Sequence, residues 1–137
     1  MLKLNKKVMS LVLAAAFAPL GFAQTAPGLI PEFQKTGAVA YSCGGIGEMQ
    51  STAMTAAMKK HPLSLLFVEK NGAYLANVNV EMVGANNAKV AFNAGGPICL
   101  MDVPAGTYQV NAVAPNGVAQ TKSVTVGKDA QTLEFVY

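Results

Sequence analysis

The chain has no arginine, a single histidine and two cysteines, and charged residues make up only 12% of it. Each shortage closes a class of function. Arginine grips phosphates and base edges through paired hydrogen bonds, so nucleic acid is a poor partner for this sequence. Zinc centres draw on several histidine, cysteine or carboxylate ligands, and His61 has no second histidine to share a metal with. No metal and no cofactor are expected. A Ser-His-Asp set needs its serine on a tight glycine-flanked elbow, which does not occur here. No Cys-x-x-Cys pair is present, and the glycine cluster Gly44–Gly47 lacks the Lys-Ser/Thr ending of a phosphate loop. His61 lies between Lys60 and Pro62 at an expected helix end, a place where a histidine caps carbonyls. No catalytic residue is expected, and the chain reads as a non-enzyme.

Long apolar runs are also missing. The apolar run from Val8 to Phe17 is far shorter than the roughly 20 residues of a membrane span. Lys3, Lys6 and Lys7 precede it, Pro19 breaks it, and Gly21-Phe22-Ala23 follows as a small-residue cleavage site. That order is the pattern of a secretory signal peptide. Residues 1–23 are expected to be removed after Ala23, releasing the rest to the periplasm or outside the cell, with no membrane span after the leader is gone. No cysteine stands at the cleavage point to carry a lipid. Three of the ten lysines leave with the leader. The remaining seven balance Glu32, Glu48, Glu69, Glu81, Asp102, Asp129 and Glu134, so the precursor's basic character belongs mainly to the leader.

Past the leader the chain divides by pattern. Residues 24–37 are polar, proline-bearing and unpatterned, the profile of a flexible N-terminal segment. Residues 38–62 give a short strand from Ala38, a glycine-rich turn at Cys43–Gly47, and a helix from Glu48 to Lys60 that Pro62 stops. Met49, Ala53, Met54, Ala57 and Met58 fall on one helical face. That face either packs on a sheet or offers Met49, Met54 and Met58 as a plastic interaction face. Residues 63–137 alternate in the strand period, with turn signals at Asn71-Gly72, Gly95-Gly96-Pro97, Pro104-Ala105-Gly106 and Asn116-Gly117.

Pro97 to Val113 is the best-defined stretch. Its spacing predicts a hairpin, with Cys99, Met101 and Val103 inward on one strand and Tyr108, Val110 and Ala112 inward on the next. Pro104 presets its backbone angle, Gly106 admits a positive φ, and the Tyr108 hydroxyl needs a partner at the core's edge. Pro104, Gly106 and Tyr108 are therefore read as a structural turn. Gly72 to Val80, then Val103 to Val110, then Val124-Thr125-Val126, resemble the carboxypeptidase regulatory-like domain. That resemblance implies a mainly β, antiparallel, seven-stranded transthyretin-like sandwich over about Leu63 to Tyr137, with one short helix packed on it. The chain is also similar to small proteobacterial periplasmic proteins that place a Gly-Gly-Ile-Gly-Glu segment and a helix ahead of that domain. Members of this class act as accessory or interaction modules. Their ureide-hydrolysing relatives need several histidines and an arginine, which this sequence lacks.

Cys43 and Cys99 carry the reactive chemistry that remains. In an oxidising compartment an even cysteine count favours a bridge; the alternatives are two separately packed thiols, or a Cys43 thiol activated by the adjacent helix N-terminus. Two functions follow. One is an accessory or protein-interaction module holding an unidentified periplasmic or envelope protein. The other is a small-ligand-binding or thiol-redox-responsive protein using Cys43 and the Gly44–Gly47 turn.

Overall fold

The computed structural model describes residues 28–137; the expected leader and residues 24–27 lie outside them. Nine strands and one helix follow one another as β1 (Gln34–Thr36), β2 (Val39–Gly44), α1 (Glu48–Ala57), β3 (Leu63–Val68), β4 (Val78–Gly84), β5 (Lys89–Ala94), β6 (Ile98–Asp102), β7 (Gly106–Val113), β8 (Ala119–Val126) and β9 (Gln131–Val136). They form a five-stranded sheet, β1-β2-β6-β3-β9, and a four-stranded sheet, β5-β4-β7-β8. The expected mainly β sandwich is present: seven strands, β3 to β9, follow Leu63, β2 is the short strand expected from Ala38, and β1 is added to them. It is also not wholly antiparallel, because β9 runs parallel to β3 from Leu63↔Gln131 to Val68↔Val136. That direction follows from β8 ending, and β9 beginning, at the same end of the molecule, with β9 then added beside β3.

Alternation decides which faces are wet. β4 and β7 bury every second residue, so Val78, Val80, Met82, Tyr108, Val110 and Ala112 enter the shared core while their neighbours stay in water. β3 and β6 are buried on both faces. Cys99 and Met101 face the sandwich core, whereas Ile98 and Leu100 face outward and are covered by Met54, Met58, Ile30 and Phe33. The helix is held by that covering, since ten residues of helix are only marginal alone.

Four expectations change. The predicted Pro97–Val113 hairpin is an arch: β6 lies in the first sheet and β7 in the second, and neither pairs with the other. A strand buried on both faces needs its neighbours in its own sheet, so β6 takes β2 and β3 on its two sides. The predicted strand from Tyr74 begins at Val78. Asn71-Gly72 closes a tight turn with one bridge, Val68↔Tyr74, after which Asn77, at φ 63°, redirects the chain into the other sheet. Strand β2 is an internal member of the first sheet, so residues 38–62 are continuous with the sandwich. Finally, Gly28–Thr36 is packed, not a loose strap: Ile30 and Phe33 cover the outer core cluster, the Ser42 hydroxyl donates to the Pro31 carbonyl at 2.7 Å, and β1 pairs with β2.

The last strand is an edge, and two of its outward carbonyls have partners. The Gln120 amide donates to the Val136 carbonyl at 2.6 Å and the Lys122 ammonium to the Glu134 carbonyl at 2.6 Å.

Candidate functional site

The strand registers sort the loops into two ends. Gly44 is level with Ile98, Leu66 with Ile98 and Val68 with Val136 in the first sheet; Val78 is level with Ala94 in the second, and Val113 with Ala119. One end therefore carries the Gly44–Gly47 turn, the Asn71-Gly72 loop, the Gly95–Pro97 link, the Asn116-Gly117 turn and Tyr137. The other carries the segment Lys59–Pro62, Asp102, the Pro104–Gly106 arch and the Lys128-Asp129 turn.

At the first end the two cysteines are bonded. Cys43 and Cys99 face each other directly across β2 and β6, with Cα atoms 4.1 Å apart. The bridge closes a 56-residue separation, and constraining a loop of that size is worth about 4 kcal/mol on the chain-entropy view. Cys99 is buried and Cys43 partly exposed, beside a cleft of about 320 Å³ that also meets Pro31, Gln34, Tyr41 and Phe92. The Tyr41 and Phe92 rings stack at 4.1 Å and close this side of the sandwich. Among the described residues no thiol is free.

The glycine turn meets an internal occupant. The Gln50 side-chain oxygen accepts from the Gly45 amide at 2.8 Å and the Ile46 amide at 3.2 Å, and its amide nitrogen donates to the Leu29 carbonyl at 3.2 Å. Two of the amide donors that an anion in this turn would use are thus already bonded. One glutamine joins turn, helix and N-terminal segment. Sequence reasoning passed over it, although glutamine three residues after the helix N-cap Gly47 is the capping-box position. Gly96 completes the turn. A Cβ there would overlap the Gly44 backbone, so two main chains touch where no side chain fits.

The methionine face divides. Met54 is 0% exposed and Met58 is packed beside it against the sheet, while Met49 is 70% exposed. Met54 therefore cannot take part in docking, and only Met49 remains from the proposed trio. Its companions are Leu29 and Ile46. Leu29, Met49, Glu48, Thr52 and Ala53 line a shallow hollow of about 370 Å³, and Ile46 is 65% exposed in the turn before the helix. Among the described residues seven large apolar side chains are exposed, and six of them, Leu29, Ile46, Met49, Tyr74, Val118 and Val136, belong to this end. Val83 alone lies towards the other.

The structural turn sits at the opposite end. The Tyr108 hydroxyl donates to the Pro104 carbonyl at 2.6 Å, which pins the arch. Gly106 has φ 151°, and the Tyr108 ring packs so closely on Gly84 that a Cβ there would come within 2.7 Å of it. His61 does not cap carbonyls as expected; its Nδ1 meets the Asp102 carboxylate at 2.8 Å and its ring stacks on Phe33 at 5.1 Å. Burial pushes the Tyr137 phenol above its ordinary value of 10.0; its hydroxyl donates to the Ala112 carbonyl at 2.7 Å.

Among the described residues no group of histidine, cysteine or carboxylate side chains is arranged to hold a metal ion, and no helix is long and apolar enough to cross a membrane. No protein-family model matches the chain, and no curated protein matches it.

Proposed function

We propose that this protein is a non-enzymatic accessory or interaction module of the cell envelope, exported through the leader cleaved after Ala23, whose apolar end docks a protein partner. The observation that carries this reading is the gathering of Leu29, Ile46, Met49, Tyr74, Val118 and Val136 at one end of an otherwise polar sandwich. Exposed apolar side chains concentrated at one end, with polar groups around them, favour an interaction site there. Glu48 borders the Leu29–Met49 hollow and Glu69 the cleft beside Tyr137. The partner that fits is a segment with apolar side chains at its centre and a lysine or arginine on its flank. The transthyretin-like topology of carboxypeptidase regulatory-like domains is the fold we propose within the observed sandwich, and the two sheets over one core support it.

A photo-cross-linking residue placed at Met49 or Tyr74 in intact cells, compared with one at Val83, tests the docking. A discrete adduct from the first two positions only, lost with Leu29→Ser/Met49→Ser, is expected. Equal labelling from all three positions would overturn it, and an adduct of twice the chain's own mass would reassign the surface to self-association. N-terminal sequencing of the exported chain tests the leader: a start at Gln24 is expected.

A further inference from the structure

The described residues carry equal numbers of lysines and carboxylates, yet these are not evenly placed. Lys59 and Lys60 follow the helix, Lys128 occupies the turn before β9, Lys89 opens β5, and Lys35 in β1 lies beside Asp102. By strand register all five belong to the end opposite the apolar surface. Only Asp102 and Asp129 accompany them, a net charge of +3 there against a whole that is neutral. The apolar end holds Glu32, Glu48, Glu69 and Lys70. Among the described residues the only ion pair joins His61 to Asp102, so these five ammonium groups are free to meet an outside charge.

We propose that this lysine-bearing end seats the protein on an anionic phospholipid surface, with the apolar end facing away. Three features favour a lipid plane over a discrete anionic ligand. The charges are all lysines, compact point charges on flexible stems, with no guanidinium fork to grip one phosphate. They come from four separate segments spread over both sheets, of which the five-stranded one alone is roughly 20 Å wide, and this suits a broad field of headgroups and converges on no pocket. Val83 is the one large apolar side chain exposed towards that end, so the contact is electrostatic and peripheral, without insertion. Such attraction falls off within a Debye length and is weakened by salt. It also orients the molecule, holding the apolar surface away from the membrane plane and within reach of a protein.

The test is co-sedimentation of the processed, exported chain with vesicles of phosphatidylglycerol and phosphatidylethanolamine, and with vesicles of phosphatidylcholine alone, at low and high salt. Binding to the anionic vesicles only, released by salt, is expected. Lys128→Glu and Lys70→Glu change net charge identically at opposite ends. The first is expected to weaken vesicle binding by about fivefold or more, from the usual contribution of one lysine near an anionic surface, and the second to leave it nearly intact. Equal effects of the two substitutions, salt-insensitive binding, or retention on an acidic polypeptide with none on vesicles would overturn the proposal. Circular dichroism of both variants confirms that each is folded. Because vesicle binding is read without any protein partner, its failure is distinguishable from failure of the docking at the apolar end.

Discussion

The two ends of the sandwich are fastened by different means. At the apolar end a covalent bridge joins Cys43 to Cys99, Gln50 gathers three backbone groups, and the Gly96 and Gly44 main chains lie in contact. At the lysine-bearing end the ties are hydrogen bonds without a covalent link, among them Tyr108 to Pro104, His61 to Asp102 and the Gln131 amide to the Pro62 carbonyl. A docking surface made of loops has to be held still before it can be complementary to anything, because ordering it during binding costs affinity. A surface that meets lipid headgroups as a field of point charges tolerates more give. The difference in fastening follows the difference in proposed partner.

The comparison breaks most directly at the bridge. Cys43→Ala/Cys99→Ala is expected to cost about 4 kcal/mol in chemical denaturation. Hydrogen exchange should then speed up around Gly44–Gln50 before it does around Pro104–Tyr108; a uniform increase would show the two ends to be one cooperative unit. Gln50→Ala comes next. Losing the acceptor for the Gly45 and Ile46 amides is expected to cost about 1–3 kcal/mol, with the loss of exchange protection confined to the apolar end. At the opposite end, Gly106→Val is expected to cost about 1–3 kcal/mol, the range for strained backbone positions. Tyr108→Phe, which keeps the ring and removes its bond to Pro104, should cost about 1 kcal/mol; an unchanged melting temperature in both would remove the arch as a fastening point.

Tyr137 sharpens the comparison by pH. Its folded phenol is harder to ionise than its unfolded one, so the stability it contributes is complete below about pH 10. It is lost as pH rises through the folded value, because the unfolded chain gives up that proton first. Stability measured from pH 7 to 11 should be level and then fall, and Tyr137→Phe should flatten part of that fall. The smallest effect belongs to Met49→Ser, within about 0.5 kcal/mol of the parent as expected for an exposed side chain, whereas Met54→Ala, further along the same helix on its buried face, should cost about 2–5 kcal/mol.

Local pattern carried the strands and their inward faces. Tyr108, Val110 and Ala112 alternate as read, and the need of the Tyr108 hydroxyl for a partner was visible in a residue that must bury its ring at the core's margin. Which strands pair was not legible. An arch between sheets and a hairpin within one use the same turn residues, so Pro104-Ala105-Gly106 fits both. Ile30 and Phe33 were hidden for another reason. They sit among prolines and polar residues, too few to set up a period, and their burial depends on the outward faces of Ile98 and Leu100 far along the chain. The bond between His61 and Asp102 spans 41 residues and leaves no trace in either neighbourhood. The apolar end was illegible for the same reason, since Leu29, Tyr74, Val118 and Val136 come together only once the registers are fixed.

Gln120 and Lys122, reaching across from β8 to the outward carbonyls of β9, have a consequence beyond the single molecule. A bare sheet margin is a template on which further copies can be added strand by strand, the route to fibres. Here two acceptors on that margin are already engaged, and an ammonium group stands across the approach. At the β9 margin, strand-by-strand addition of a further copy would first have to displace both side chains.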